Sequence, residues 1–187
     1  MHADSTIRAV IVLALLTGCL SQSDPSGGAP PSDSETKGAT ITEPLLAWSF
    51  EPASADCNGW MVKGAVAIRA IPARTGAYSC KLCADGTSEA ITLTRDLGPV
   101  TAGRYELSAW VRKRAQNPAP PSALATFEAS HASATTPLVS VREAWDSITT
   151  TLDLAEDSDR LRVSIGSPLA AENECLFVDD VRVEKLP

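Results

Sequence analysis

From Leu45 onward, apolar and polar residues alternate in short runs separated by Gly, Pro, Asp and Asn. Successive side chains of a strand point to opposite faces, so a period of two marks a half-buried strand. The pattern predicts strands at residues 45–51, 66–70, 77–83, 90–95, 104–113, 123–130, 147–154, 160–166 and 176–184. Residues 104–113 show it most plainly: Tyr105, Leu107, Ala109 and Val111 share one face, and Glu106, Ser108, Trp110 and Arg112 the other. Ile148, Thr150, Leu152 and Leu154 alternate in the same way, as do Leu161, Val163 and Ile165. In the last run, alternation groups Asp179 with Phe177 and Val181 on the face expected to point inward. Alanine-rich residues 119–134 are the one candidate for a helix, and their prolines, Thr126 and Phe127 favour a strand. Short strands with turn residues between them predict an all-β fold, an antiparallel two-sheet sandwich.

Ahead of this region lies the only strongly apolar run, Ala9 to Leu16, preceded by Arg8 and followed by Thr17-Gly18-Cys19. A basic lead, a short apolar core and small residues make a secretory signal, and the core is far short of the ~20 residues that span a bilayer. Leu16-Thr17-Gly18-Cys19 resembles the bacterial lipobox, in which the cysteine is acylated and becomes the mature amino terminus. That resemblance implies a signal peptide at 1–18 and a lipid (palmitate-type) anchor on Cys19. Several acyl chains give stable attachment to a bilayer, where one alone is marginal. Leu20 follows the cysteine, and the resemblance implies the outer membrane of a bacterial envelope because an Asp there is the inner-membrane retention residue. Residues 19–40 are rich in Ser, Pro, Gly and small charged residues, which cannot offset the entropy of ordering, so they form a flexible spacer. Such a spacer holds the 41–187 domain about 25 Å from the lipid on average.

The 16 basic and 23 acidic residues leave a formal charge of −7. This excludes wrapping of nucleic acid, whose phosphates demand clustered Lys and Arg. The single basic cluster, Arg112-Lys113-Arg114, ends a strand. Besides Cys19, four cysteines remain: Cys57, Cys80, Cys83 and Cys175. An even number in an exported chain predicts two disulfides, with three connectivities open. Cys80 and Cys83 have the spacing of a zinc or redox pair, but they lie on a strand run, whereas the redox motif opens a helix.

Several stretches recur in one order: Trp48-Ser49-Phe50-Glu51, Trp60, Thr75-Gly76-Ala77-Tyr78-Ser79-Cys80-Lys81-Leu82, Ala102-Gly103-Arg104-Tyr105-Glu106-Leu107-Ser108-Ala109-Trp110, Trp145-Asp146-Ser147-Ile148, and Phe177-Val178-Asp179-Asp180-Val181. Together they resemble the jelly-roll carbohydrate-binding modules of cellulases and xylanases, which have a galactose-binding-like fold. The resemblance implies a structural calcium between the early Phe-Glu and the late Asp-Asp, here Glu51 with Asp179 or Asp180. It also implies a sugar platform of aromatic and polar side chains on one sheet. Trp110 is the expected centre, beside Ser108 and Arg112, with Arg162, Ser164 and Glu128 expected on the same sheet. Trp48, Trp60 and Trp145 flank strand starts and are expected to cap the core.

Catalysis finds no motif: His131 is the one histidine beyond the signal, and no Gly-x-Ser-x-Gly elbow or His-Glu-x-x-His pair occurs. The expectation is a non-catalytic, monomeric glycan-binding lipoprotein displayed on the cell surface or in the periplasm. The alternative is a protein-interaction or structural envelope module with no sugar site.

Overall fold

The computed structural model describes residues 44–51, 57, 59–86, 90–114 and 122–187. Cys19, the signal peptide and the spacer lie outside the described residues. Twelve strands form among the described residues: β1 (Leu46–Trp48), β2 (Met61–Lys63), β3 (Ala65–Ala70), β4 (Ser79–Ala84), β5 (Ile91–Val100) and β6 (Gly103–Lys113), then β7 (Ser122–Ala129), β8 (Ser133–Thr135), β9 (Val139–Ser140), β10 (Asp146–Leu154), β11 (Ser158–Ser167) and β12 (Cys175–Lys185). The first sheet has the order β10-β6-β12-β4-β3, with β1 also on β12; the second has the order β2-β5-β11-β7-β8, with β9 also paired to β7. Every pairing is antiparallel. No helix occurs among the described residues.

Alternation builds this sandwich. Tyr105, Leu107, Ala109 and Val111 of β6 are buried, and they meet Leu161, Val163 and Ile165 of β11, Ile91 and Leu93 of β5, and Ala125 and Phe127 of β7 in one core. All nine anticipated runs contain a strand, including residues 122–129, where the helix alternative is excluded. The three strands that the pattern missed are β2, β8 and β9, each of two or three residues, too short to show a period.

The inward face of β12 differs from the expectation. Leu176, Val178, Val181 and Val183 join the core, so Phe177 and Asp179 point outward beside Arg112 and Trp110. Between Asp179 and Arg182 the register shifts by one residue against β6, and Asp180 takes a left-handed φ of 44°. This bulge changes the phase of alternation partway along the strand. Residues 176–178 are apolar throughout, so the sequence carried no local correction.

Of the three possible connectivities, the structure forms Cys57–Cys80 and Cys83–Cys175. The second bridge joins residues directly opposite each other on β4 and β12, and the first ties the chain before β2 to the inner face of β4. The bridges close stretches of 23 and 92 residues. Loop-closure entropy then assigns about 1 kcal/mol more stabilisation to the longer, within the ~2–4 kcal/mol usual for each. Urea unfolding of the Cys57→Ala/Cys80→Ala and Cys83→Ala/Cys175→Ala variants checks this: both lose stability, the second pair more. Equal stability of either variant with the unaltered domain would contradict it.

Candidate functional site

The outer face of the first sheet carries the strongest concentration of polar and aromatic groups with a definite geometry. It begins at Asp179, a carboxylate with 0% of its surface exposed although it stands on an outward position. A buried carboxylate must be hydrogen-bonded. Its Oδ2 accepts from the backbone N–H of Arg74 at 2.7 Å and of Thr75 at 3.4 Å, and its Oδ1 from the N–H of Asp180 at 2.8 Å. Burial pushes the Asp179 carboxyl up to about 6, against the downward pull of these N–H groups.

The adjoining bulge residue, Asp180, accepts from Arg74 Nη1 at 2.7 Å and from the Thr75 hydroxyl at 2.5 Å. Glu51 Oε1 accepts from the N–H of Ala77 at 2.8 Å and of Tyr78 at 3.0 Å. Gly76 lies between these contacts at φ 65°, and a Cβ there would collide with the Glu51 carboxylate. Three carboxylates thus fasten the connection from β3 to β4 across the sheet. Its Arg74 guanidinium lies 3.8 Å from the centre of the Trp110 ring, a cation–π contact.

Beside this stack opens a cavity of about 360 Å³, lined among others by Trp48, Ser108, Trp110, Arg74, Asp180 and Arg182. Trp48 of β1 also borders it, but stands opposite Val181 on the inner face and packs against the core, its ring 4.3 Å from the guanidinium carbon of Arg95, an inward-facing residue of β5. Ser108 and Trp110 therefore share a site, as anticipated. The structure adds Arg74 and Arg182, which alternation did not select. Arg74 lies outside any strand, where period-two reasoning is silent, and Trp48 packs against the core as expected.

Arg112 is on the same sheet face, one alternate position from Trp110, with its guanidinium carbon 5.7 Å from the Trp145 ring centre and 5.8 Å from that of Phe177. Glu128 and Arg162 are elsewhere. They sit opposite each other on β7 and β11, on the outer face of the second sheet, so the anticipated platform residues do not form one surface. There Arg162 holds Asp96 through two hydrogen bonds of 2.7 and 3.1 Å, which lowers the Asp96 carboxyl. Glu128 pairs with Arg160 at 3.3 Å, and Ser164 hydrogen-bonds Thr94 at 3.0 Å. Alternation separates inside from outside but does not say which sheet a strand joins.

Glu51, Asp179 and Asp180 were the anticipated calcium ligands. Calcium takes six to eight oxygens. Here each carboxylate accepts from N–H or O–H groups, and Asp180 already has the charge of Arg74 as its counter-ion. Among the described residues no group of three or more His, Cys, Asp or Glu side chains converges as a metal cage requires. The residues as arranged do not fit the ion.

No family model matches the chain, and no curated protein does. Solved structures with a similar fold do exist. The xylan-binding CBM22-1 domain of Xyn10C from Paenibacillus barcinonensis has a TM-score of 0.63 at 18% identity, covering 79% of this chain and 97% of that domain. TmCBM61, in complex with β-1,4-galactotriose, has a TM-score of 0.57 at 13% identity over 78% of this chain and 100% of that one. The α-L-arabinofuranosidase MgGH51 matches with a TM-score of 0.57 at 11% identity, over only 26% of its own length. At these identities the likeness establishes the jelly-roll sandwich.

The Asp179 geometry sets a pH dependence. An unfolded aspartate titrates near ~4. The folded carboxyl, pushed up to about 6, therefore binds more proton than the unfolded one in the window between, and this group's contribution makes stability fall as pH rises through it. Urea unfolding across that window in EDTA, compared with Asp179→Asn, tests it: the slope flattens in the variant. Millimolar calcium at neutral pH leaves the midpoint in place, because the carboxylates are already satisfied. An unchanged slope, or a calcium-dependent rise lost in Asp180→Asn, would overturn this account.

Proposed function

We propose that the 41–187 domain binds polysaccharide without cleaving it, through the outer face of the first sheet, and that an acylated Cys19 holds it at a bacterial envelope. The observation that carries the binding reading is the open cavity beside Trp110. Sugar rings present apolar C–H faces that stack on aromatic side chains, while nearby polar groups fix the hydroxyls. Ser108, Asp180 and Arg182 supply such groups at the same opening. The similarity to carbohydrate-binding modules agrees with this reading at the level of fold. Arg74 covers part of Trp110, and its exchange between the ring and a ligand hydroxyl is compatible with an ion pair whose side chains are 34% and 19% exposed.

Affinity electrophoresis of the domain against xylan, β-1,4-galactan, β-glucan and acidic polysaccharides tests the site. Retardation by at least one polymer is expected, with Trp110→Ala weakening it about tenfold or more at unchanged melting temperature. Retention equal to the parent, in a folded variant, removes Trp110 from the site. Retardation by none favours the protein-interaction or structural envelope reading.

The anchor rests on the lipobox-like residues 16–19. Expressed with its own leader in a Gram-negative host, the protein is expected in the outer-membrane fraction. Cys19→Ser is expected to abolish acylation, measured by mass spectrometry of the amino-terminal peptide, and to release the chain from that fraction. An unacylated Cys19 in the parent would end the proposal.

A further inference from the structure

The face assigned to ligand is cationic at the end where its rings lie, although the chain as a whole carries −7. Strand register gives the arrangement. Lys81 of β4, Phe177 of β12 and Arg112 of β6 stand directly opposite one another, and such cross-strand partners share a sheet face. The Arg112 guanidinium lies between the rings of Phe177 and Trp145, so cation and ring alternate along this row. The neighbouring row holds Trp110 with Arg74 stacked on it.

Three negative groups nearby are already used. Asp179 is buried among backbone N–H groups, Asp180 is paired with Arg74, and Asp146 is paired with Arg142. Neither Arg112 nor Lys81 forms an ion pair among the described residues, and Arg112 Nε is buried with no hydrogen-bond acceptor. A guanidinium held between two rings is fixed in orientation yet lacks a counter-charge. Glu106 and Glu184 do face the same side, but they are opposite each other beyond Ser108 and Arg182, at the far end of the face. At physiological ionic strength charges beyond about 8 Å are largely screened, so the local cations govern what binds at the rings.

We propose that the ligand is an acidic polysaccharide, with sugar rings seated at Trp110 and uronate carboxylates held by Arg112 and Lys81. This rests on the glycan-binding reading above and adds the charge of the glycan. Planar guanidinium and carboxylate match in geometry, and Trp110 in the neighbouring row supplies an aromatic face for the C–H side of a sugar.

The test uses polymers that differ only in charge: glucuronoxylan and polygalacturonate, each beside its carboxyl-reduced form, with neutral xylan and β-1,4-galactan in the same affinity gels. The acidic polymers are expected to retard the domain about tenfold more strongly than their reduced forms, with the difference shrinking in 0.5 M salt (about a 4 Å screening length). Arg112→Met and Lys81→Met keep the apolar stems and remove the charge, and are expected to bring the acidic-to-reduced ratio toward one. Arg160→Met, on the second sheet, removes a charge from the opposite face and is expected to leave the ratio unchanged; a matching loss there would make the effect one of net charge and overturn the proposal. Equal or stronger retardation by the neutral polymers overturns it and leaves glycan binding standing. Retardation by no polymer overturns both.

Discussion

Asp179 stands on the outside of a sheet and yet touches no solvent, and the arrangement of the site follows from what covers it. A carboxylate removed from water needs donors, and the nearest are the N–H groups of Arg74 and Thr75 in the connection between β3 and β4. Satisfying it draws that connection over the sheet. Asp180, turned by the bulge into a left-handed backbone, then meets the Arg74 guanidinium and the Thr75 hydroxyl. Glu51 completes the fastening from the other end through Ala77 and Tyr78. Trp110 receives Arg74 as a consequence, so one buried charge and one extra residue in β12 determine how much aromatic surface the face presents.

The architecture was readable because its inner faces are uniform. Leu107, Val111, Val163 and Ile165 each alternate with polar neighbours, and period two follows from covalent geometry. Alternation failed at β12 for a physical reason. Leu176, Phe177 and Val178 are apolar in succession, since Phe177 is itself covered on the outside, and the Asp180 bulge then shifts the phase. The disulfide pairing was open from sequence because it depends on which strands become neighbours. Once β4 lies beside β12, Cys83 and Cys175 fall opposite each other.

The site was legible only as far as a single strand could carry it. Ser108, Trp110 and Arg112 follow from the outward phase of β6, and all three lie on the face. Arg74 approaches from a connection, so its position depends on tertiary packing. Glu128 and Arg162 were grouped with them on outward phase, which two sheets share equally. The anticipated calcium ligands do gather near one another, but through a loop that they hold by N–H donors, a role that the residue types alone do not distinguish from metal binding.

The two outer faces show why polar content is a poor guide to where a ligand sits. On the second sheet Arg162 is satisfied by Asp96, Arg160 by Glu128, and Ser164 by Thr94. A ligand there would have to replace good internal partners before gaining any of its own, and such exchange returns little. On the first sheet Arg112 and Lys81 lack counter-ions among the described residues, and Trp110 borders an open cavity. Unmet hydrogen-bonding and charge requirements next to aromatic surface are what a ligand can relieve. That difference, more than the number of polar residues, separates a binding face from a solvated one.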